Sequence, residues 1–125
     1  MKRDACLVAV VDDEESVRKA LGRLIRSAGY GVEMFDSGAE FLQSLQRRRP
    51  DCVVLDLRMP QVNGFELQLA LKRSGADVPV VIITGDDTAG NRERALRQGA
   101  LAFLRKPVDD AQLIDAIQGA ISDPA

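Results

Sequence analysis

The chain contains no histidine. That absence removes Ser-His-Asp and Cys-His catalysis, imidazole metal sites and a phosphohistidine on the chain itself. Tryptophan is missing too, and one tyrosine with four phenylalanines is thin aromatic material for holding a flavin ring. The two cysteines, Cys6 and Cys52, lie inside apolar runs. They are too few for a disulfide framework, so they read as reduced core thiols, and the expected location is cytoplasmic. No apolar stretch approaches the ~18–20 residues of a membrane span, Val80-Val81-Ile82-Ile83 being among the longest. The apolar stretch after Met1-Lys2-Arg3-Asp4 runs straight into an acidic cluster, which argues against a signal peptide. Positive charge is not in excess either. The 17 Lys and Arg face 19 Asp and Glu, a net charge of −2, which excludes an electrostatic grip on nucleic acid as the main business of the domain.

What 125 residues do supply is one core. Size scaling puts the extended chain near ~19,700 Å² of accessible surface and the folded chain near ~6,600 Å², enough for one sizeable core and too little for two. Residues 1–125 therefore read as a single domain, with Asp123-Pro124-Ala125 as the start of a linker or a natural end. Short β-branched runs alternate with helix-period segments five times. Strands are predicted at 6–11, 32–35, 52–55, 80–84 and 102–104. Four are almost continuously apolar, as parallel strands covered on both faces should be, whereas Glu33 interrupts the second and marks an edge. Helices are predicted at 15–28, 39–47, 65–74, 89–98 and 111–121, the first carrying Val17, Ala20, Leu21, Leu24, Ile25 and Ala28 as one stripe. Ser37 is a candidate cap for the second, and Gly29, Gly75 and Gly99 sit where left-handed caps would end three of them. The fourth helix, with Gly90, three arginines and Leu96 as its only large apolar anchor, is expected to be the least stable. Strand–helix alternation with short connections gives a (βα)₅ unit, an α/β fold with an open parallel sheet covered by helices on both faces.

The polar residues at the strand ends carry the functional reading. The first strand ends in Asp12-Asp13-Glu14, the third in Asp56, the fourth in Thr84-Gly85 and the fifth in Arg105-Lys106-Pro107. In a doubly wound, flavodoxin-like sheet of order 2-1-3-4-5, the first and third strands are neighbours at the switch point, so Asp12, Asp13 and Asp56 would share one crevice. Like charges that close raise one another's pKa, and the natural compensation is a hard divalent cation; Mg²⁺ suits an open site with carboxylates, waters and a phosphate. A carboxylate flanked by a metal, a lysine and a hydroxyl is the arrangement an aspartyl phosphate needs.

With these residues in place, the sequence resembles the receiver domain of a two-component response regulator along 6–121. The resemblance rests on Asp12-Asp13, Asp56, Met59-Pro60 with Gly64, Thr84-Gly85 and Lys106-Pro107, in order and each at or just beyond a strand end. It implies that Asp56 accepts a phosphoryl group from the phosphohistidine of a sensor histidine kinase or phosphotransfer protein. It implies Mg²⁺ held by the carboxylates of Asp13 and Asp56, by Asp12 mostly through water, and by the backbone carbonyl of Arg58. Thr84 and Lys106 would bind phosphoryl oxygens, Lys106-Pro107 would be a cis peptide, and Phe103 would be the switch aromatic, rotating into space vacated as Thr84 moves inward. The face made by the fourth helix, fifth strand and fifth helix would then control homodimerisation or an output partner, with Arg92, Arg94 and Arg97 facing acids such as Asp109, Asp110 and Asp115 of a second copy. Arg58 and Asp86 would flank the path of the hydrolytic water, so that the chain catalyses only its own phosphorylation and slow self-dephosphorylation and is otherwise no enzyme. Leu57-Arg58-Met59-Pro60 with Ile82-Ile83-Thr84-Gly85 is similar to receivers attached to LuxR-type helix-turn-helix transcription regulators, so a DNA-binding output domain is expected beyond residue 125 or not at all. This domain itself would bind neither DNA nor membrane.

Plainer readings stand beside these. Asp12 or Asp13 could cap the first helix, and Arg47-Arg48-Arg49 would suit the C-terminal dipole of the second. A haloacid-dehalogenase-type enzyme would want Asp-x-Asp where Asp56-Leu57-Arg58 stands, and a flavodoxin-type carrier would want uncharged phosphate-binding residues where Asp12-Asp13-Glu14-Glu15 stands.

Overall fold

The computed structural model describes residues 6–85 and 88–122. Five strands, β1 Leu7–Val11, β2 Gly31–Phe35, β3 Cys52–Asp56, β4 Val80–Thr84 and β5 Ala102–Arg105, alternate with five helices, α1 Glu15–Ser27, α2 Gly38–Ser44, α3 Gly64–Ser74, α4 Ala89–Arg97 and α5 Asp110–Ser122. All strand pairs are parallel and the order is β2-β1-β3-β4-β5, as the alternation predicts. Glu33 does lie on an edge strand. Every residue of β1, β3 and β4 is buried.

Period-two alternation splits the buried side chains into two cores. One, built on Ala9, Val11, Val53, Leu55 and Ile82, receives Phe41, Leu67 and Leu71 from α2 and α3. The other, built on Val8, Val10, Val54, Val81 and Ile83, receives Leu21 and Ile25 from α1 and Leu113 and Ile117 from α5. In α1 the stripe is narrower than its sequence suggests, because Ala20 is exposed while Gly22 is buried beneath Met34. Cys6 and Cys52 are free and buried, and burial pushes the Cys52 thiol up to about 12. Alkylation of Cys52 should therefore be negligible in the folded protein at pH 7.5 and complete within minutes in denaturant, a contrast that mass spectrometry reads directly.

The helix ends follow local chemistry. Ser37 caps α2 by accepting from the Glu40 N–H at 3.2 Å, and Gly29, Gly75 and Gly99 all adopt positive φ. Asn63 and Glu66 form a reciprocal capping box on α3. Two expectations need correcting. The second helix ends at Ser44 rather than at 47, with the Arg47 and Arg48 N–H groups bonding back to the Ser44 carbonyl. Arg47-Arg48-Arg49 is thus an exposed turn beyond the last helical residues, and not the neutraliser of a helix C-terminus. In α4 the anchor is Ala95, fully buried, while Leu96 is 45% exposed; the helix turns its smallest side chain toward the body.

Candidate functional site

The carboxyl ends of β1, β3 and β4 and the segment after β5 converge on one open cleft of about 540 Å³, lined by Asp13, Glu14, Asp56, Arg58, Gly85 and Lys106. Asp12 and Asp56 are buried, at 0% and 4% exposure, whereas Asp13 is exposed at the rim. Carboxylate oxygens of Asp12, Asp13 and Asp56 all lie within 4.8 Å of one another. The switch-point geometry read from the sequence is therefore present.

Lys106 is shared among three carboxylates. Its Nζ stands 3.0 Å from Asp12 Oδ2, 3.2 Å from Asp56 Oδ2 and 3.5 Å from Glu14 Oε1. Burial alone would lower this ammonium, but contact with Asp12 and the charge of Asp56 outweigh it and hold the group above its ordinary value. Its backbone is fixed as well, since Lys106 N–H donates to the Thr84 carbonyl at 2.8 Å and the Lys106-Pro107 bond is cis. Glu14 is the partner that sequence reasoning leaves without a role. The signal is a third consecutive acid opposite the one lysine.

Asp56 is pushed above the usual carboxylate value, first by burial and then by the charge of Asp12; Lys106 and the Arg58 N–H, which donates to Asp56 Oδ1 at 3.2 Å, work against that rise. Asp12 does not cap α1. The N-cap is Glu14, without a side-chain bond, and Asp12 Oδ1 instead accepts from the Glu14 N–H at 2.9 Å, which folds the acidic loop back over the sheet. Asp12 Oδ2 meets Lys106 off the hydrogen-bonding direction and so has no hydrogen-bond donor among the described residues. A buried oxygen with that lack, beside two more carboxylates in an open cleft, fits a hard cation with oxygen ligands.

The loop carrying Asp56 is shaped by Gly64. Its N–H donates to the Leu57 carbonyl at 2.8 Å, and a Cβ at 64 would lie 2.8 Å from Leu57 Cα and 3.1 Å from the Asp56 carbonyl oxygen. Only glycine lets the first turn of α3 approach β3 that closely. Gly64→Ala should therefore cost about 1–3 kcal/mol in chemical denaturation and displace the Asp56 loop.

Thr84 is fully buried at the end of β4, one residue beyond the Asp56–Ile83 register pair. Phe103 is 4% exposed and packed in the α2–α3 core, with the Arg92 guanidinium 5.1 Å from the centre of its ring. In this state the ring lies in the interior, with the Arg92 guanidinium over its face. Arg94 likewise lies 4.1 Å over Phe65, so two of the three arginines assigned to a second copy have aromatic partners within the chain. Arg58 is exposed at the mouth of the cleft; Asp86, its predicted counterpart, lies outside the described residues.

Comparisons with known proteins agree with this geometry. Residues 8–118 match the response regulator receiver domain family. The response regulator protein TodT of Pseudomonas putida is 35% identical over 121 residues, which cover 97% of this chain and 53% of TodT. The transcriptional regulatory protein FixJ of Bradyrhizobium diazoefficiens is 38% identical over 120 residues, 94% of this chain and 58% of FixJ. The chain thus spans a little over half the length of these relatives. A response regulator receiver protein from Burkholderia phymatum superimposes with a TM-score of 0.83 at 46% identity, covering 96% of this chain and 98% of that one. With four of the five ordered motifs lining one acidic cleft and a family match over nearly its whole length, the chain belongs to the receiver domains of two-component response regulators.

Proposed function

We propose that this domain is a phosphorylation switch in which Asp56 accepts the phosphoryl group. Receiver domains of response regulators are phosphorylated by histidine kinases and hold Mg²⁺ in an acidic pocket. The observation that carries the assignment to Asp56 is its place as a buried carboxylate between one ammonium and two further carboxylates at the floor of an open cleft. A carboxylate oxygen of Asp56 attacks phosphorus, the P–N bond to the partner's imidazole breaks, and the imidazole leaves with the electron pair. Hydrolysis of the resulting acyl phosphate by water returns the carboxylate and inorganic phosphate. Asp12, Asp13 and Asp56, with the backbone carbonyl of Arg58, would hold Mg²⁺, which when bound supplies positive charge to the phosphoryl oxygens. Lys106 supplies a second, fixed positive charge, and Thr84 a hydroxyl. Catalysis extends no further than this self-phosphorylation and the slower hydrolysis.

Output falls to the α4–β5–α5 side, where Leu96 and Leu101 are 45% and 55% exposed, apolar surface suited to a second copy or an attached output domain. Relatives named as transcriptional regulators, which extend well beyond the length matched here, favour a DNA-binding output. No described helix is long and apolar enough to cross a membrane. Incubation with acetyl phosphate and Mg²⁺ should add one phosphoryl group, mapped by mass spectrometry to Asp56; uptake at any other residue would refute the assignment.

Arg58 sets the lifetime of that state. Its exposed side chain lines the cleft that opens onto Asp56, where a long cation can obstruct water approaching from solvent. Positioning of the nucleophile is what phosphoryl transfer leaves the protein to supply. Arg58→Ala should shorten the phosphate half-life about threefold, with Asp86→Ala acting in the same direction, as time courses of phosphate release would report.

A further inference from the structure

Helix α4 has one buried side chain, Ala95, so apolar packing does little to fix its position. A chain of directed polar contacts does it instead. Gln68, 2% exposed on α3, donates from Nε2 to the Ala95 carbonyl at 3.1 Å. Gln98, at the C-cap of α4, donates from its Nε2 to Gln68 Oε1 at 3.1 Å and to the Phe65 carbonyl at 3.2 Å. Its Oε1 accepts from Arg94 Nε at 3.4 Å, and the Arg94 guanidinium rests on the Phe65 ring. Both amides thus use donor and acceptor on the seam between α3 and α4, one of them deep in the protein. Nothing in the hydrophobic pattern asks for glutamine at either place.

We propose that Gln68 and Gln98 form a latch that sets the resting position of α4 and thereby how readily Asp56 is phosphorylated. Apolar contacts tolerate sliding, whereas hydrogen bonds between amides are made in one register and lost in the next. A buried amide stripped of its partner is penalised, so α4 has two discrete choices, latched or displaced as a unit. Phe65 lies one residue past Gly64, the residue on which the Asp56 loop is packed, so the latch fastens α4 to the same turn that shapes the acceptor loop. A phosphoryl group that favours displaced α4 must supply the free energy of opening the latch, and by linkage a weaker latch eases phosphorylation.

This inference rests on the proposed role of Asp56, and the experiment separates the two. Amide hydrogen exchange across 89–98 is measured first without any phosphodonor, in the native chain, Gln98→Leu, Gln68→Leu and the double variant. Phosphorylation by acetyl phosphate with Mg²⁺ is then timed in the same proteins. Exchange in α4 should quicken about fivefold to tenfold in each single variant, and phosphorylation should quicken about threefold or more. The double variant should fall short of the product of the two single effects, because the two residues share one bond. Lys19→Ala, which removes only an exposed pair with Glu15 on α1, should leave both readouts unchanged. Unchanged exchange in Gln98→Leu and Gln68→Leu would overturn the latch, as would faster exchange with an unaltered phosphorylation rate. Failure of the native chain to take up phosphate at Asp56 would instead overturn the proposed function, while the exchange data still judged the contact itself.

Discussion

Asp56→Asn should take up no phosphoryl group from acetyl phosphate under conditions that label the native chain to completion. The substitution keeps the shape of the side chain and its acceptor for the Arg58 N–H, so the loop should stay folded. What it removes is the anionic oxygen that attacks phosphorus, and no neighbour can stand in. Asp12 is buried deeper and already committed to the Glu14 N–H and the Lys106 ion pair. Asp13 is exposed at the rim, where a phosphoryl group would lack the lysine behind it. The expected loss is thus complete, beyond the ~100-fold to 1,000-fold typical of deleting one stabilising donor. Intact-mass spectra taken over an hour with Mg²⁺ decide it, and labelling of the variant at the native rate would rule Asp56 out.

The second large effect depends on Mg²⁺. Burial and the charge of Asp12 raise the Asp56 pKa in the folded state. A raised carboxylate contributes stability that is present below its unfolded value and lost as pH climbs through its folded value. At pH 7 the ionised group therefore weighs against folding, and Asp56→Asn should melt at a higher temperature than the native chain when Mg²⁺ is absent. The gap should close as pH falls through the Asp56 titration. An open carboxylate site keeping several waters should bind Mg²⁺ in the millimolar range, so ~10 mM Mg²⁺ adds about 1.4 kcal/mol to the native chain and much less to the variant. Thermal melts with and without Mg²⁺ check both halves. A native chain indifferent to Mg²⁺ would remove the metal from the site.

Both results depend on residues that the sequence alone makes legible. Asp12, Asp56, Thr84 and Lys106 follow from alternation and from the rule that open parallel sheets gather their ligands at the carboxyl ends of strands. The strand order follows from the same pattern, and the predicted bounds of β4 match to the residue, because continuous β-branched runs have few alternatives when both faces are covered. Contacts that depend on which way a helix is rotated are not legible. Leu96 is the obvious anchor of α4 by hydrophobicity, yet Ala95 faces the body, since a helix held by polar bonds need not obey its weak apolar pattern. Gln68 and Gln98 carry no signal because glutamine on a helix is ordinarily a solvated residue. The inward Phe103 cannot be told from an outward one, as a cation above an aromatic ring leaves no mark on periodicity.

The sharing of Lys106 also bears on how the chain is made. Asp12 and Asp56 are brought together by the pairing of β1 with β3, using residues all present by position 56, while the cation between them is 50 residues further on. At about 5–20 residues per second, ribosomal synthesis leaves those carboxylates without their lysine for several seconds. Closing the β1–β3 pair in that interval would, without Mg²⁺, bury two like charges with no cation opposite. The amino-terminal half is thus disfavoured from collapsing early into a native-like sheet, and the seam between β1 and β3 is sealed when β5 delivers its lysine. A fragment ending before Lys106 should stay open at neutral pH and gain order as its carboxylates are protonated.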